Sequence, residues 1–127
     1  MKTIINNPNA PAPVGPYNQA VEYGDLLFIS GQIAIDQQSG ELIQDSIEAE
    51  TKQVMENLKM ILETSGRTFE DVLKATVFVK DMHMYGRINA VYASYFNEES
   101  APARELVEVY NLPKFVNIEI SLIAGKK

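Results

Sequence analysis

Two side chains in this 127-residue sequence have a type and a setting that invite chemistry: Arg104, in Ala101-Pro102-Ala103-Arg104, and Glu119, alternating with aliphatic residues in Asn117-Ile118-Glu119-Ile120. A guanidinium on a strand face beside a proline presents parallel N–H donors that match a carboxylate or phosphate. An ion pair with a neighbouring acid is the competing use, and spacing alone leaves both open. Glu119 is a proton carrier if a pocket faces it and a solvated outward residue if none does. Tyr17 follows Gly15-Pro16 and reads as an edge aromatic, and Ser30-Gly31 interrupts an apolar run as a bulge would. His83 is the one histidine and stands at a helix start with no evident acidic or serine partner, so it reads as an exposed polar residue. Tyr92, Tyr95 and Phe96 fit a helix core better than a base-stacking platform.

Much other chemistry is excluded by composition. There is no cysteine, which removes thiolate nucleophiles and thiolate metal sites, and a single histidine removes any multi-histidine metal site. No glycine-rich phosphate loop, HExxH pair or nucleophile elbow is present, and nothing supports a cofactor. Eleven basic against seventeen acidic residues give a net charge of −6, the wrong sign for replacing the counterions of a nucleic acid. No run approaches the roughly 18 apolar residues of a membrane span, so a soluble, cytoplasmic protein is expected, with residues 1–127 forming one domain.

The elements that must position these residues follow from periodicity. Residues 6–16 read NNPNAPAPVGP, too rich in proline for a ladder or helix, and form an extended arm. Tyr17–Tyr23 and Leu26–Ile35 read as strands joined by Gly24-Asp25 in a II′ turn. Pairing Tyr23 with Leu26 places Tyr17, Gln19, Ser30 and Gln32 on one polar face, and Ala20, Leu27, Ile29 and Ile33 on the other. Asp45 and Glu48 resemble a capping box ahead of Ile47, Thr51, Val54, Leu58, Ile61 and Leu62 at helical spacing, with Gly66 as the stop. Val72–Lys80 reads as a core strand with Leu73, Ala75, Val77 and Val79 inward. After Asp81, Ile88, Val91, Tyr92, Tyr95 and Phe96 mark a second amphipathic helix.

Ala103–Val109 and Val116–Ile123 read as two further strands joined by YNLPKF, with Val107 and Val109 facing the helices. Pairing Val109 with Val116 sets Leu106 opposite Glu119 and Arg104 opposite Ser121, which makes Arg104 and Glu119 diagonal neighbours roughly 7–8 Å apart on the face the helices leave bare. The order is α+β, a mixed sheet with two helices on one face, and the uncovered face, carrying Arg104, Leu106, Glu119 and Tyr17, calls for subunit association.

The segments GPYNQAV, FISGQI, QVMENLKMIL, DVLKATVFVKDM, INAVYASYF, APARELVEV and LPKFVNIEISLIA, in that order over nearly the whole chain, resemble the RidA (YjgF) family of enamine/imine deaminases. The resemblance implies a chorismate-mutase-like α+β fold, a homotrimer built around a barrel, and sites in clefts between subunits. It implies cofactor-independent, metal-free hydrolysis of reactive 2-imino acids to 2-oxo acids and ammonia. By position, Arg104 would clamp the substrate carboxylate and Glu119 would move protons on the attacking water and the departing nitrogen. Tyr17 would cover the bound acid, Ser30 and Asn89 would line the pocket, and the main chain at Leu106 would help hold the water. The chain departs from the family pattern at Glu105 and Leu106, where a small residue and a cysteine are common, and at Ser121, where a second glutamate is common. Two rivals stand beside the enzyme: a metabolite-binding trimer without turnover, and an RNA-cleaving translation inhibitor, which the net charge disfavours.

Overall fold

The computed structural model describes residues 1–126. At the first turn Gly24 adopts φ 60° while Asp25 does not enter the left-handed region, as a glycine-first turn requires, and Tyr23 pairs with Leu26. Around this hairpin the chain builds β1 (Thr3–Ile5), β2 (Ala20–Tyr23), β3 (Leu26–Gln32), α1 (Ile47–Thr64), β4 (Val72–Val79), α2 (Tyr85–Ala93), β5 (Ala103–Glu108) and β6 (Ile118–Ala124). The six strands lie in one sheet in the order β1-β2-β3-β6-β4-β5. All neighbours are antiparallel except β4 and β5, so the sheet is mixed, as expected.

The stops and starts have local causes. Ser46, not Asp45, caps α1: its hydroxyl accepts from the Ala49 amide at 3.0 Å, so the expected Asp45–Glu48 box is not formed. At the other end Gly66 takes φ 75°, the Arg67 amide bonds Leu62 C=O and the Gly66 amide bonds Glu63 C=O, closing a Schellman motif. Helix α2 ends at Ala93, so Tyr95 and Phe96 pack beyond it in an aromatic cluster with Phe69 rather than on a longer helix. Glu48 of α1 receives both Arg87 Nε (2.8 Å) and Nη2 (2.7 Å) of α2, which ties the helices together and holds the Glu48 carboxyl down to about 2.

The core lies between the sheet and the helices: Ile29, Ala75, Val77, Val79, Ile118, Ile120 and Leu122 on the sheet meet Val54, Leu58, Ile61, Ile88 and Tyr92. Arg67 is buried beneath the β2–β3 turn, where Nε donates to Gly125 C=O at 2.7 Å and Nη1 pairs with Glu22 at 2.6 Å. Gln19, expected on a polar site wall, is also buried: its side chain accepts from the Asn7 amide and donates to the carbonyls of Asn7, Ala10 and Pro11, so it pins the proline-rich arm.

Several expected positions are corrected by strand irregularities. The ladder from β3 to β6 slips between Ile29 and Gln32, because Ser30-Gly31 forms a bulge. Each bulge reverses the alternation, so Gln32 joins Ile120 on the helix side and is buried, while Ile33 turns away from the core. A second slip between Val72 and Lys74 turns Leu73 out to 53% exposure instead of into the core. Strand β2 starts at Ala20 rather than Tyr17, and β6 at Ile118 rather than Val116. The apolar N-terminus adds β1, a strand the sequence pattern did not reveal.

The largest correction concerns β5 and β6, which are not a hairpin. A parallel pair needs a crossover, and α2 supplies it by bringing β5 alongside β4; β6 then enters antiparallel on the other side of β4. Val109 therefore does not face Val116, and Arg104 is not beside Ser121. Arg104 pairs with Ala75 and Leu106 with Val77, both buried on the helix side, whereas Glu119 pairs with Phe78 on the opposite face. Val107 lies on that bare face and is 45% exposed instead of meeting the helices. Arg104 and Glu119 are thus on opposite faces of one sheet, not diagonal neighbours.

Candidate functional site

Two half-sites result. On the helix side, the Arg104 guanidinium leaves β5 and is received by one face of α2, where Tyr85, Asn89 and Tyr92 follow at i, i+4 and i+7. Nη1 donates to Asn89 Oδ1 at 2.8 Å and Nη2 donates to the Tyr85 hydroxyl at 3.1 Å. Cζ lies 4.8 Å from the Tyr92 ring centre and 5.7 Å from that of Tyr85, so the cation is held against two aromatic rings. Burial pushes the Tyr92 phenol up, and the Arg104 charge opposes part of that shift. Only two of the guanidinium's N–H groups are spent on these bonds, leaving donors for an anion. They border a cleft of about 620 Å³ lined by Asn89, Tyr92, Phe96, Glu98, Pro102 and Arg104. Leu106 lies two residues along the same strand face, partly buried against the core.

On the other face, Glu119 lies over the bulge in β3. A Cβ built on Gly31 would come 2.7 Å from Glu119 Cδ and 2.8 Å from Oε1, so the carboxyl rests directly on glycine backbone. Burial alone raises its proton affinity above that of an ordinary glutamate, and no hydrogen-bond partner offsets that among the described residues. The cavity beside it, about 60 Å³, is lined by Tyr17, Gln19, Gly31, Ile33, Lys114 and Glu119. Tyr17 is 46% exposed at its edge, with its hydroxyl accepting a long 3.4 Å bond from the Val14 amide. Ser30 adjoins from the bulge, its hydroxyl donating to Asn18 C=O at 2.7 Å.

The six residues singled out in the sequence thus fall into two groups. Arg104 and Asn89 line the cleft on one side, with Leu106 on the same strand face but outside its lining; Glu119 and Tyr17 line the cavity on the other, with Ser30 beside it in the bulge but outside its lining. Three further residues belong to these groups. Tyr85 shares the α2 face of Asn89, and its i, i+4 spacing was a legible signal. Tyr92, read only as core, is both core and the ring beneath Arg104. Gly31, read as part of a bulge, is also the floor under Glu119, a role visible only once β6 lies beside β3. His83 has an acidic partner after all, Asp81 at 2.8 Å, but its side chain is 97% exposed and bonds to no member of either group. Glu105 points away from Arg104, as alternation requires, and pairs with Lys74 at 2.9 Å.

A chain with this architecture has known counterparts. Residues 7–126 match the family described as Endoribonuclease L-PSP. A RutC family protein of Pyrococcus horikoshii is 52% identical over 127 residues, covering all of both chains. The 2-iminobutanoate/2-iminopropanoate deaminase of Salmonella typhimurium is 43% identical over 129 residues, again covering all of both. The chain belongs to the RidA (YjgF) family. Among solved structures, one described as a putative endoribonuclease from Thermotoga maritima superposes with a TM-score of 0.96 at 48% identity, covering 100% of this chain and 99% of the other. The mixed α+β architecture is therefore that of RidA-family proteins, and no helix among the described residues is long and apolar enough to cross a membrane.

Proposed function

We propose that this RidA-family chain hydrolyses small 2-imino acids, formed from 2-aminoacrylate and related enamines, to 2-oxo acids and ammonia, at sites shared between copies of the chain in a homotrimer. The observation that carries the reading is the separation itself. Among the described residues, Arg104 has donors to spare on one face of the sheet, and Glu119 has an unpartnered, half-buried carboxyl on the other. No single copy brings them to one substrate, so the reading requires a second copy, docked on the bare face, whose Arg104 reaches its neighbour's Glu119. That face offers exposed apolar side chains, Phe28 at 44% and Val107 at 45%, suited to burial in such an assembly.

The chemistry follows from the groups. The guanidinium holds the substrate carboxylate in two parallel charge-assisted bonds. Water adds to the electrophilic C=N carbon while Glu119 takes one of its protons and passes it to the nitrogen, giving a carbinolamine. Glu119 then takes the remaining hydroxyl proton and delivers it to the amino group, the C–N bond breaks as the C=O bond forms, and ammonia leaves a 2-oxo acid. Tyr17 covers the bound acid, and Ser30, Asn89 and the main chain at Leu106 complete the walls. A carboxyl whose proton affinity is raised by burial suits both halves of this exchange. The name of the Salmonella relative agrees with this reaction, and a net charge of −6 weighs against RNA as substrate.

The test generates 2-aminoacrylate or 2-iminobutanoate in place with a dehydratase and follows its decay with and without the protein. Arg104→Ala and Glu119→Gln are each expected to be inactive alone. After unfolding and refolding together in equal amounts, random pairing should restore about a quarter of the sites. Absence of hydrolysis by the native chain refutes the enzyme, and absence of complementation refutes the shared site.

A further inference from the structure

We propose that Tyr85 is a second donor to the substrate carboxylate, so that the anion-holding half of the site is an arginine–phenol pair rather than a lone arginine. The inference deepens the reading above and rests on it. Tyr85 opens α2 one turn before Asn89, and its hydroxyl oxygen accepts from Arg104 Nη2 at 3.1 Å. A phenol both accepts and donates, so this contact leaves the hydrogen of Tyr85 uncommitted, with no acceptor among the described residues. Accepting from a cation also polarises the O–H bond and makes it a better donor. An anion that takes the remaining Arg104 N–H groups lies next to the nitrogen to which Tyr85 is bonded, within reach of that hydrogen.

The neighbouring side chains do not offer the same service. Among the described residues the Tyr92 hydroxyl is buried and unpartnered, closed off from a ligand. The Asn89 carboxamide oxygen is an acceptor, engaged by Nη1, and repels an anion at that atom. Tyr85 remains 43% exposed, outside the lining of the cleft but bonded to the cation that borders it. The arrangement selects substrates with a planar anion beside the C=N carbon over uncharged imines of the same size.

Tyr85→Phe tests this while keeping the ring beside Arg104. Because the carboxylate is held equally in the ground and transition states, the variant should raise KM about tenfold with kcat unchanged. The dissociation constant of 2-oxobutanoate, measured by calorimetry, should rise by the same factor. Asn89→Ala separates direct contact from mere orientation of the guanidinium, because it frees Nη1 as Tyr85→Phe frees Nη2 but leaves the phenol in place: a larger loss of 2-oxobutanoate affinity in Tyr85→Phe than in Asn89→Ala supports direct donation. Unchanged 2-oxobutanoate affinity in Tyr85→Phe, a fall confined to kcat, or a loss no larger than that of Asn89→Ala would overturn the proposal while leaving the deaminase reading intact. A native protein that neither binds 2-oxobutanoate nor hydrolyses imines overturns both.

Discussion

Replacing Gly31 by alanine probes the geometry of Glu119 without touching any charged group. The new Cβ would stand 2.7 Å from Glu119 Cδ, 2.8 Å from Oε1 and 3.0 Å from Cγ. Comfortable contact needs about 3.5–4.0 Å, so the carboxyl must withdraw by roughly 1 Å. The backbone does not resist the change, since Gly31 is not among the glycines in the left-handed region. Stability should therefore move little: the loss of unfolded-state freedom favours the variant by about 0.4–1 kcal/mol, and turning Glu119 to a poorer rotamer costs about 0.5–1.5 kcal/mol. Catalysis is far less forgiving, because a misplacement of about 1 Å costs on the order of 10²-fold. The coupled dehydratase assay should show kcat reduced by about that factor, with 2-oxobutanoate still bound through Arg104 and the melting temperature nearly unchanged. Turnover within twofold of the native rate would refute the claim that Glu119 must lie on the bulge. A melting temperature that collapses with the activity would refute the claim that the carboxyl, rather than the fold, absorbs the added carbon.

Three other outcomes are expected. Arg104→Ala should lose about 10²–10⁴-fold in kcat/KM while still folding, from two charge-assisted bonds of about 1.5–3 kcal/mol each, and Arg104→Lys should recover little because an ammonium lacks the planar pair of donors; steady-state kinetics and circular dichroism check both. Glu119→Gln should lower turnover by about 10²–10⁴-fold. Its pH dependence also has a definite sign: burial raises the folded-state proton affinity of Glu119 above the ordinary value of 4.5, so the penalty on the native chain appears as pH rises through that window and is absent below it. Thermal melts should accordingly show the glutamine variant at least as stable as the native chain at neutral pH, with any advantage disappearing on acidification. Arg67→Ala should destabilise by about 3–5 kcal/mol, because it strands the partly buried Glu22 carboxylate and the Gly125 carbonyl; denaturant melts measure it.

What was legible in the sequence was whatever depends on neighbours along the chain. The Gly24 turn, the Gly66 stop and the apolar stripe of α1 follow from local backbone preference and helical period, and they stand where those rules put them. Arg104 and Glu119 stood out because a long charge amid strand residues has to be explained by something it meets. What they meet was decided by strand order, which no period of 2 or 3.6 encodes. The segment from Ala103 to Ala124 reads equally well as a hairpin or as two strands separated by a third, and only the packing of α2 as a crossover puts β4 between them. That choice moves Arg104 to the helix side and leaves Glu119 on the bare face. The bulges at Ser30-Gly31 and near Leu73 act in the same way, since one extra residue reverses every side chain beyond it. The sequence by itself singled out the cation, the carboxyl and the candidate wall residues; the tertiary structure alone decided that they divide between two faces, because the face a side chain takes is set by its pairing partner across the sheet and not by its neighbours in the chain.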